Sequence, residues 1–220
     1  MMNAIQQQRE YYEKYWTNGH TQYSGENQGY ATNLRNWMQA QLRDIAAGAT
    51  ILEVGCGDGS FTRNLAKHSS RVTAVDISAS QIERNARAHP EIKFLQHDVA
   101  QPLPFANQAF DVIWCSEVLE HLFDPGFALR EMQRVLAPRG RLLVTVPYHG
   151  VFKDVLIALF RWDEHFSPDN PHIRFFTRKT LLQLSASAGF VESETTTCGM
   201  NKPLRDLFVA TNILLTARKR

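Results

Sequence analysis

The sequence has little cysteine, no surplus of charge and no long apolar run, and each shortage excludes a class of protein. Three cysteines in 220 residues are too few, and odd in number, for a disulfide framework, so the chain suits a reducing cytoplasm. A formal charge of +2 gives no footprint for a polyanion, and no nucleic-acid partner is expected. Arg218, Lys219 and Arg220 read as a solvated tail. The longest apolar stretches, 151–160 and 207–215, fall short of the ~20 residues that span a bilayer. Residues 1–30 are polar and aromatic and lack the apolar core of an export signal. There is no internal repeat and no low-complexity segment. What remains is a globular composition, 44% hydrophobic, with room for one well-cored domain.

The chain is organised around residues 51–60, I-L-E-V-G-C-G-D-G-S. An apolar run, three alternate glycines and an amphipathic continuation over 61–68 spell strand, tight turn and helix. Gly55, Gly57 and Gly59 lack the Cβ atoms that would keep a ligand from the backbone. Their spacing departs from the dinucleotide pattern, because the third glycine comes one residue early. Glu53 and Asp58 place carboxylates where a pyrophosphate would sit, so a nucleoside with a cationic end, carrying an ammonium and a sulfonium, fits better.

Further β-rich runs follow at 71–75, ending on Asp76, and at 92–95, leading to Gln96, His97, Asp98 and Val99. Acids at the ends of successive parallel strands converge on one crevice. Ser78 with Gln81 forms a capping box, and Asp124 with Pro125 occupies Ncap and N1 of a later helix. Ala128, Met132, Val135 and Leu136 face inward from it before a turn at Pro138, Arg139 and Gly140. Strands are expected at 110–115, 141–146, 190–197 and 207–216, and helices at 177–188 and along the stripe Leu34, Trp37, Met38, Leu42 and Ile45, with Gly48 as its C′ residue. A polar loop is expected at 19–29. Alternation of this kind builds an α/β parallel sheet with helices on both faces.

With these motifs the sequence resembles the class I S-adenosylmethionine-dependent methyltransferases, in particular the small bacterial ones. The specific motifs lie within 49–147. The resemblance implies a Rossmann-like doubly wound sheet of seven strands, mostly parallel with an antiparallel C-terminal hairpin. It also implies S-adenosylmethionine as cofactor, held by Glu53, Gly55, Gly57, Gly59, Asp76, Ile77, Asp98, Val99 and Ser116. The chain then divides, within one domain, into a helical arm over 1–48, a cofactor-binding core over 49–147, a lid or acceptor insertion over 148–176, and a C-terminal helix and strands over 177–220. In the family such an arm often folds over the cofactor, and here it carries Tyr11, Tyr12, Tyr15 and Trp16.

The end of the fourth strand reads C-S-E-V-L-E-H-L. Glu117, Glu120 and His121 stand at i, i+3 and i+4, one face if the segment is helical. The motif resembles the E-x-x-E-H of certain metal-dependent O-methyltransferases, and His172, before an aromatic pair and T-R, resembles their metal-binding histidine. Glu117, Glu120, His121 and His172 are thus the candidate ligands of a divalent metal ion, and without a metal His121 or His172 is the candidate catalytic base. The insertion resembles a segment of bacterial glycan-cluster methyltransferases, so the acceptor is expected to be a small molecule or glycan, with oxygen favoured as the methylated atom. A non-catalytic cofactor-binding sensor and a nicotinamide-dependent oxidoreductase are the rival functions. The apolar segment 151–162 reads as a lid, with contact to a membrane surface as the alternative.

Overall fold

In the computed structural model, which describes residues 4–17, 28–167, 170–199 and 210–220, seven strands form one sheet in the order β3-β2-β1-β4-β5-β7-β6. The strands are β1 Thr50–Val54, β2 Arg71–Asp76, β3 Lys93–Gln96, β4 Phe110–Ser116, β5 Leu136–Pro147, β6 Phe190–Cys198 and β7 Asn212–Lys219. β1 to β5 pair in parallel, and β7 runs antiparallel to both β5 and β6. The expected doubly wound α/β sheet is therefore present.

Strand residues alternate between two apolar layers, as a period of two requires. Leu52, Ile113, Leu142 and Val144 join the layer under helices α5 (Pro125–Val135) and α8 (Arg178–Ser187). Ile51, Trp114 and Leu143 join the opposite layer, under α2 (Gln28–Leu42) and α3 (Ser60–Leu65). Each fully buried leucine in these layers contributes roughly 1.5–3 kcal/mol. Asp124 caps α5 by accepting from the Phe127 N–H, and Thr177 forms a full capping box on α8.

Several expectations need correction. Ser78 caps α4 (Ala79–Ala88) by accepting from Gln81 N–H, but the Gln81 side-chain oxygen is unpartnered, so the reciprocal half of the box is missing. Gln81, Ile82 and Asn85 are the buried residues of α4, and Asn85 Nδ2 donates to Gly57 O at 2.9 Å. Of the expected stripe Leu34, Met38 and Leu42 are buried and Trp37 and Ile45 partly so, yet the helix ends at Leu42, before Ile45, and Gly48 has no left-handed backbone. Pro138, Arg139 and Gly140 lie inside β5, where the register with β4 shifts and Arg139 takes φ 61°, so the expected turn is a bulge. β7 is displaced toward the C-terminus from 207–216, and residues 207–209 lie outside the described residues, as does most of the loop expected at 19–29. Arg218 and Lys219 are not a free tail. They are β7 residues, with Arg218 3.4 Å from Glu192 and Lys219 Nζ donating to the carbonyls of Arg134 and Leu136.

Candidate active site

Strand order reverses between β1 and β4, and the carboxyl ends of an α/β sheet at such a point form a crevice. A cavity of about 980 Å³, counting the open space at its mouth, lies there. One wall of it is built from the β1–α3 loop. Gly55, Gly57 and Gly59 all take positive φ, and a Cβ on Gly55 would lie 2.3 Å from Val118 Cγ2. The loop is tied to β2: Gly55 and Cys56 N–H donate to Val75 O, and Gly57 N–H donates to Asp76 Oδ2 at 2.8 Å. Asp76 Oδ1 accepts from Ser78 N–H. Burial pushes this carboxyl above its ordinary value, against the pull of the backbone donors.

Of the nine expected cofactor residues, Gly55, Gly57, Asp76, Ile77, Asp98, Val99 and Ser116 line the cavity. Glu53 and Gly59 do not. Glu53 stands behind the loop, fully buried, where Thr62 Oγ1 donates to it, so it braces α3 rather than facing a ligand. Burial pushes Glu53 up to about 8, against the lowering hydrogen bond from Thr62. A carboxyl raised in the fold is protonated there and ionised in the unfolded chain, so it favours folding below the unfolded value of about 4.5 and loses that contribution as pH rises toward 8. Unfolding titrations should show the native chain losing about 1.4 kcal/mol per pH unit relative to Glu53→Gln across that window. Parallel pH profiles for the two proteins would contradict the assignment.

Several buried polar atoms have no protein partner: Asp98 Oδ2, His97 Nε2, Tyr12 Oη and both carboxylate oxygens of Glu120. All four residues line the cavity. Buried polar groups are normally hydrogen-bonded, so such a cluster marks a place built for a ligand. The aromatic arm is helix α1 (Ala4–Thr17), and it closes one side of the cavity with Tyr11, Tyr12, Tyr15 and Trp16. Glu13 latches it to the N-terminus of α4, accepting from Ala79 N–H and Ser78 Oγ.

Against the arm lies the candidate chemistry, the Tyr12 ring meeting that of His121 edge-on at 5.6 Å. Leu119–His121 is a 3₁₀ turn, and Glu117 precedes it with φ 56°, which takes Glu117 out of helical phase. Its Oε1 accepts from Thr145 Oγ1 and Asn212 Nδ2. Because Thr145 gives its proton to Glu117, Ser116 Oγ is the donor in the 2.7 Å Ser116–Thr145 bond. Glu117 lines the cavity but stands apart from the cluster of Glu120, His121 and His172, whose ligand atoms lie within 4.8 Å of one another. The expected four-residue metal set is thus a group of three.

His121 Nδ1 lies 3.2 Å from Pro171 O, and a carbonyl can only accept, so Nδ1 carries the proton and Nε2 presents a lone pair. Nε2 is 3.8 Å from Glu120 Oε1. The His172 ring sits 4.9 Å from that of His121, carried there because Ile173 and Arg174 N–H both donate to Glu120 O. Burial lowers His121 to about 4, and burial with the neighbouring His121 lowers His172 to about 4. Glu120 is raised well above its ordinary value by burial and by Glu117. Glu13, Asn85, His97, Thr145 and Asn212 went unnoticed as site residues in the sequence. Only His97 carried a local signal, a strand end.

The sheet order and the crevice define an α/β protein of the doubly wound class. The chain belongs to the methyltransferase-domain family, whose profile matches residues 27–193. It is 31% identical over 176 residues to 2-methyl-6-phytyl-1,4-hydroquinone methyltransferase of Synechocystis, covering 74% of this chain and 52% of that protein. It is 33% identical over 104 residues to the ubiquinone biosynthesis O-methyltransferase of Xanthomonas oryzae, covering 45% and 43%. The chain thus spans about half the length of these curated relatives. Its fold matches that of an S-adenosylmethionine-dependent methyltransferase from Mesorhizobium loti with TM-score 0.68 at 19% identity, over 84% of this chain and 98% of that one. No helix among the described residues is long and apolar enough to cross a membrane.

Proposed function

We propose that this chain, as one domain, transfers a methyl group from S-adenosylmethionine to a hydroxyl oxygen of a small-molecule or glycan acceptor. The observation that carries the reading is the union, in one cavity, of a Cβ-free loop tied to Asp76 with the Glu120, His121 and His172 cluster. The unpartnered Asp98 Oδ2 and His97 Nε2 on the cavity wall suit the polar edge of the cofactor. Gly55 and Gly57 face its amino-acid end, Asp76 and Ile77 its ribose, and Asp98 and Val99 its adenine, while Ser116 borders the acceptor side. When bound, S-adenosylmethionine supplies an electrophilic methyl on a sulfonium, so the protein has mainly to align the acceptor and exclude water. The α1 aromatics and the segment carrying Pro171 and His172 do the excluding.

The acceptor proton falls to the lone pair of His121 Nε2 or to His172, both neutral at physiological pH. The relatives named for hydroquinone and ubiquinone chemistry support a small acceptor bearing hydroxyls. Glu120 favours a finer reading. A buried carboxylate with two unpartnered oxygens beside two neutral imidazoles is a donor set for a borderline divalent ion such as Mn²⁺, Fe²⁺ or Zn²⁺. Such an ion would acidify the acceptor hydroxyl. Cys56 and Cys115, both buried and outside any disulfide, support a reducing, cytoplasmic setting.

Calorimetry tests the cofactor assignment. S-adenosylmethionine should bind and NAD should not, and Asp76→Ala should weaken binding by about 1.5–3 kcal/mol through lost charged hydrogen bonds. NAD binding without a response to S-adenosylmethionine would reverse the reading.

A further inference from the structure

Helix α6, Val151–Phe160, has no buried residue although eight of its ten residues are apolar. A helix apolar nearly all round is ordinarily a core helix. Here Val151 is 84% exposed and Phe160 76%, with Phe152, Val155 and Leu159 also exposed. At 100° per residue the exposed positions cover roughly 200° of the circumference. A groove or a second copy covers a stripe nearer ~100° wide, so the breadth suits a fluid apolar medium that closes round the helix. The short helix α7, Trp162–His165, extends the face with the exposed pair Trp162 and Phe166, rings 4.4 Å apart and tilted by 47°. Tryptophan, with its amphipathic ring, concentrates at membrane interfaces.

The rim supplies charge of one sign. Phe175 packs on Phe166 and His149 at 6.1 and 4.8 Å, so residues 173–179, I-R-F-F-T-R-K, run beside the face with three cations and no acid. Arg174 and Lys179 are exposed. Of the acids on α6 and α7, Asp154 is paired with His149 and Glu164 with Arg161, which leaves Asp163 exposed. The same segment begins at the cavity, which Pro171 and His172 line.

We propose that the α6–α7 face, with the cationic 173–179 rim, docks the protein on an anionic lipid bilayer and holds the acceptor end of the cavity at the headgroups. α6 is too short to span and lies in the interface plane. The docking does not depend on which reaction the cavity performs.

The test is co-sedimentation of the full chain with vesicles of phosphatidylcholine containing phosphatidylglycerol, and with pure phosphatidylcholine. The native chain should prefer the anionic vesicles. A Leu159→Glu/Phe160→Glu variant should bind them at least about tenfold more weakly through lost apolar insertion, with an unchanged melting temperature because both side chains are exposed. Arg174→Glu/Lys179→Glu should abolish the preference for anionic lipid. The proposal is overturned if the native chain stays in the supernatant with both vesicles, or if the Leu159→Glu/Phe160→Glu variant binds as tightly. It is equally overturned if the native chain is a dimer that this variant dissociates, which would assign the face to a second copy.

Discussion

Replacing His172 by alanine should lower kcat by about 10²- to 10⁴-fold, the usual contribution of a positioned proton acceptor, while S-adenosylmethionine affinity stays within a few-fold. The separation is expected because His172 stands with Glu120 and His121 and is not among the residues proposed to hold the cofactor. His121→Ala should behave alike, since its Nδ1 is committed to Pro171 O and only Nε2 faces the chemistry. Single-turnover rates with calorimetry on the same variants check this, and a loss under about tenfold would remove His172 from the reaction. Chelation then divides the two finer readings. Activity that survives exhaustive chelation in protein shown metal-free by elemental analysis leaves the imidazole as base, whereas activity restored by Mn²⁺ or Zn²⁺ supports the ion.

Gly57→Ala should weaken S-adenosylmethionine binding severely without touching a polar atom of the site. An alanine Cβ there would lie 2.7 Å from Trp16 Cζ2 and would have to adopt φ 47°. A left-handed non-glycine residue costs about 1–2 kcal/mol, and overpacking a closed contact adds about 1–3 kcal/mol. The chain can relieve the second by releasing α1, so hydrogen exchange in residues 4–17 should accelerate in the variant. Trp16→Leu in the Gly57→Ala background should restore part of the lost affinity, which a double-mutant cycle would read as coupling. Purely additive losses would mean that the arm and the loop act independently.

What the sequence made legible was local. Glycines alternating after an apolar run, Asp124 before a proline, and acids at strand ends are short-range signals, and each element they mark is present. The β5 bulge was not legible, because Pro138-Arg139-Gly140 is a turn signal in isolation, and only pairing with β4 keeps the chain extended. The shift of β7 has the same origin. Arg218 and Lys219 look like solvent residues until Glu192 and the carbonyls of Arg134 and Leu136 meet them across the sheet. At the site, the spacing of Glu120 and His121 was enough to pair them. Nothing in the spacing foretold that Glu117 would turn away on a positive φ to Thr145 and Asn212. Likewise, Glu53 reads as a ligand carboxylate by its place before the loop, and only the packing of Thr62 against it shows that it faces inward.

β7 lies between β5 and β6 although it follows both in the chain. Synthesis from the N-terminus therefore delivers the middle of this three-stranded region last. Until it arrives β5 and β6 each present an open edge, the state in which a nascent chain is most prone to mispair with its neighbours. β1, β2 and β4 need nothing from it to pair with one another. Glu117, by contrast, waits on Asn212, the first residue of β7. The half of the crevice proposed for the nucleoside can thus assemble early on the ribosome, and the half proposed for the acceptor waits for β7.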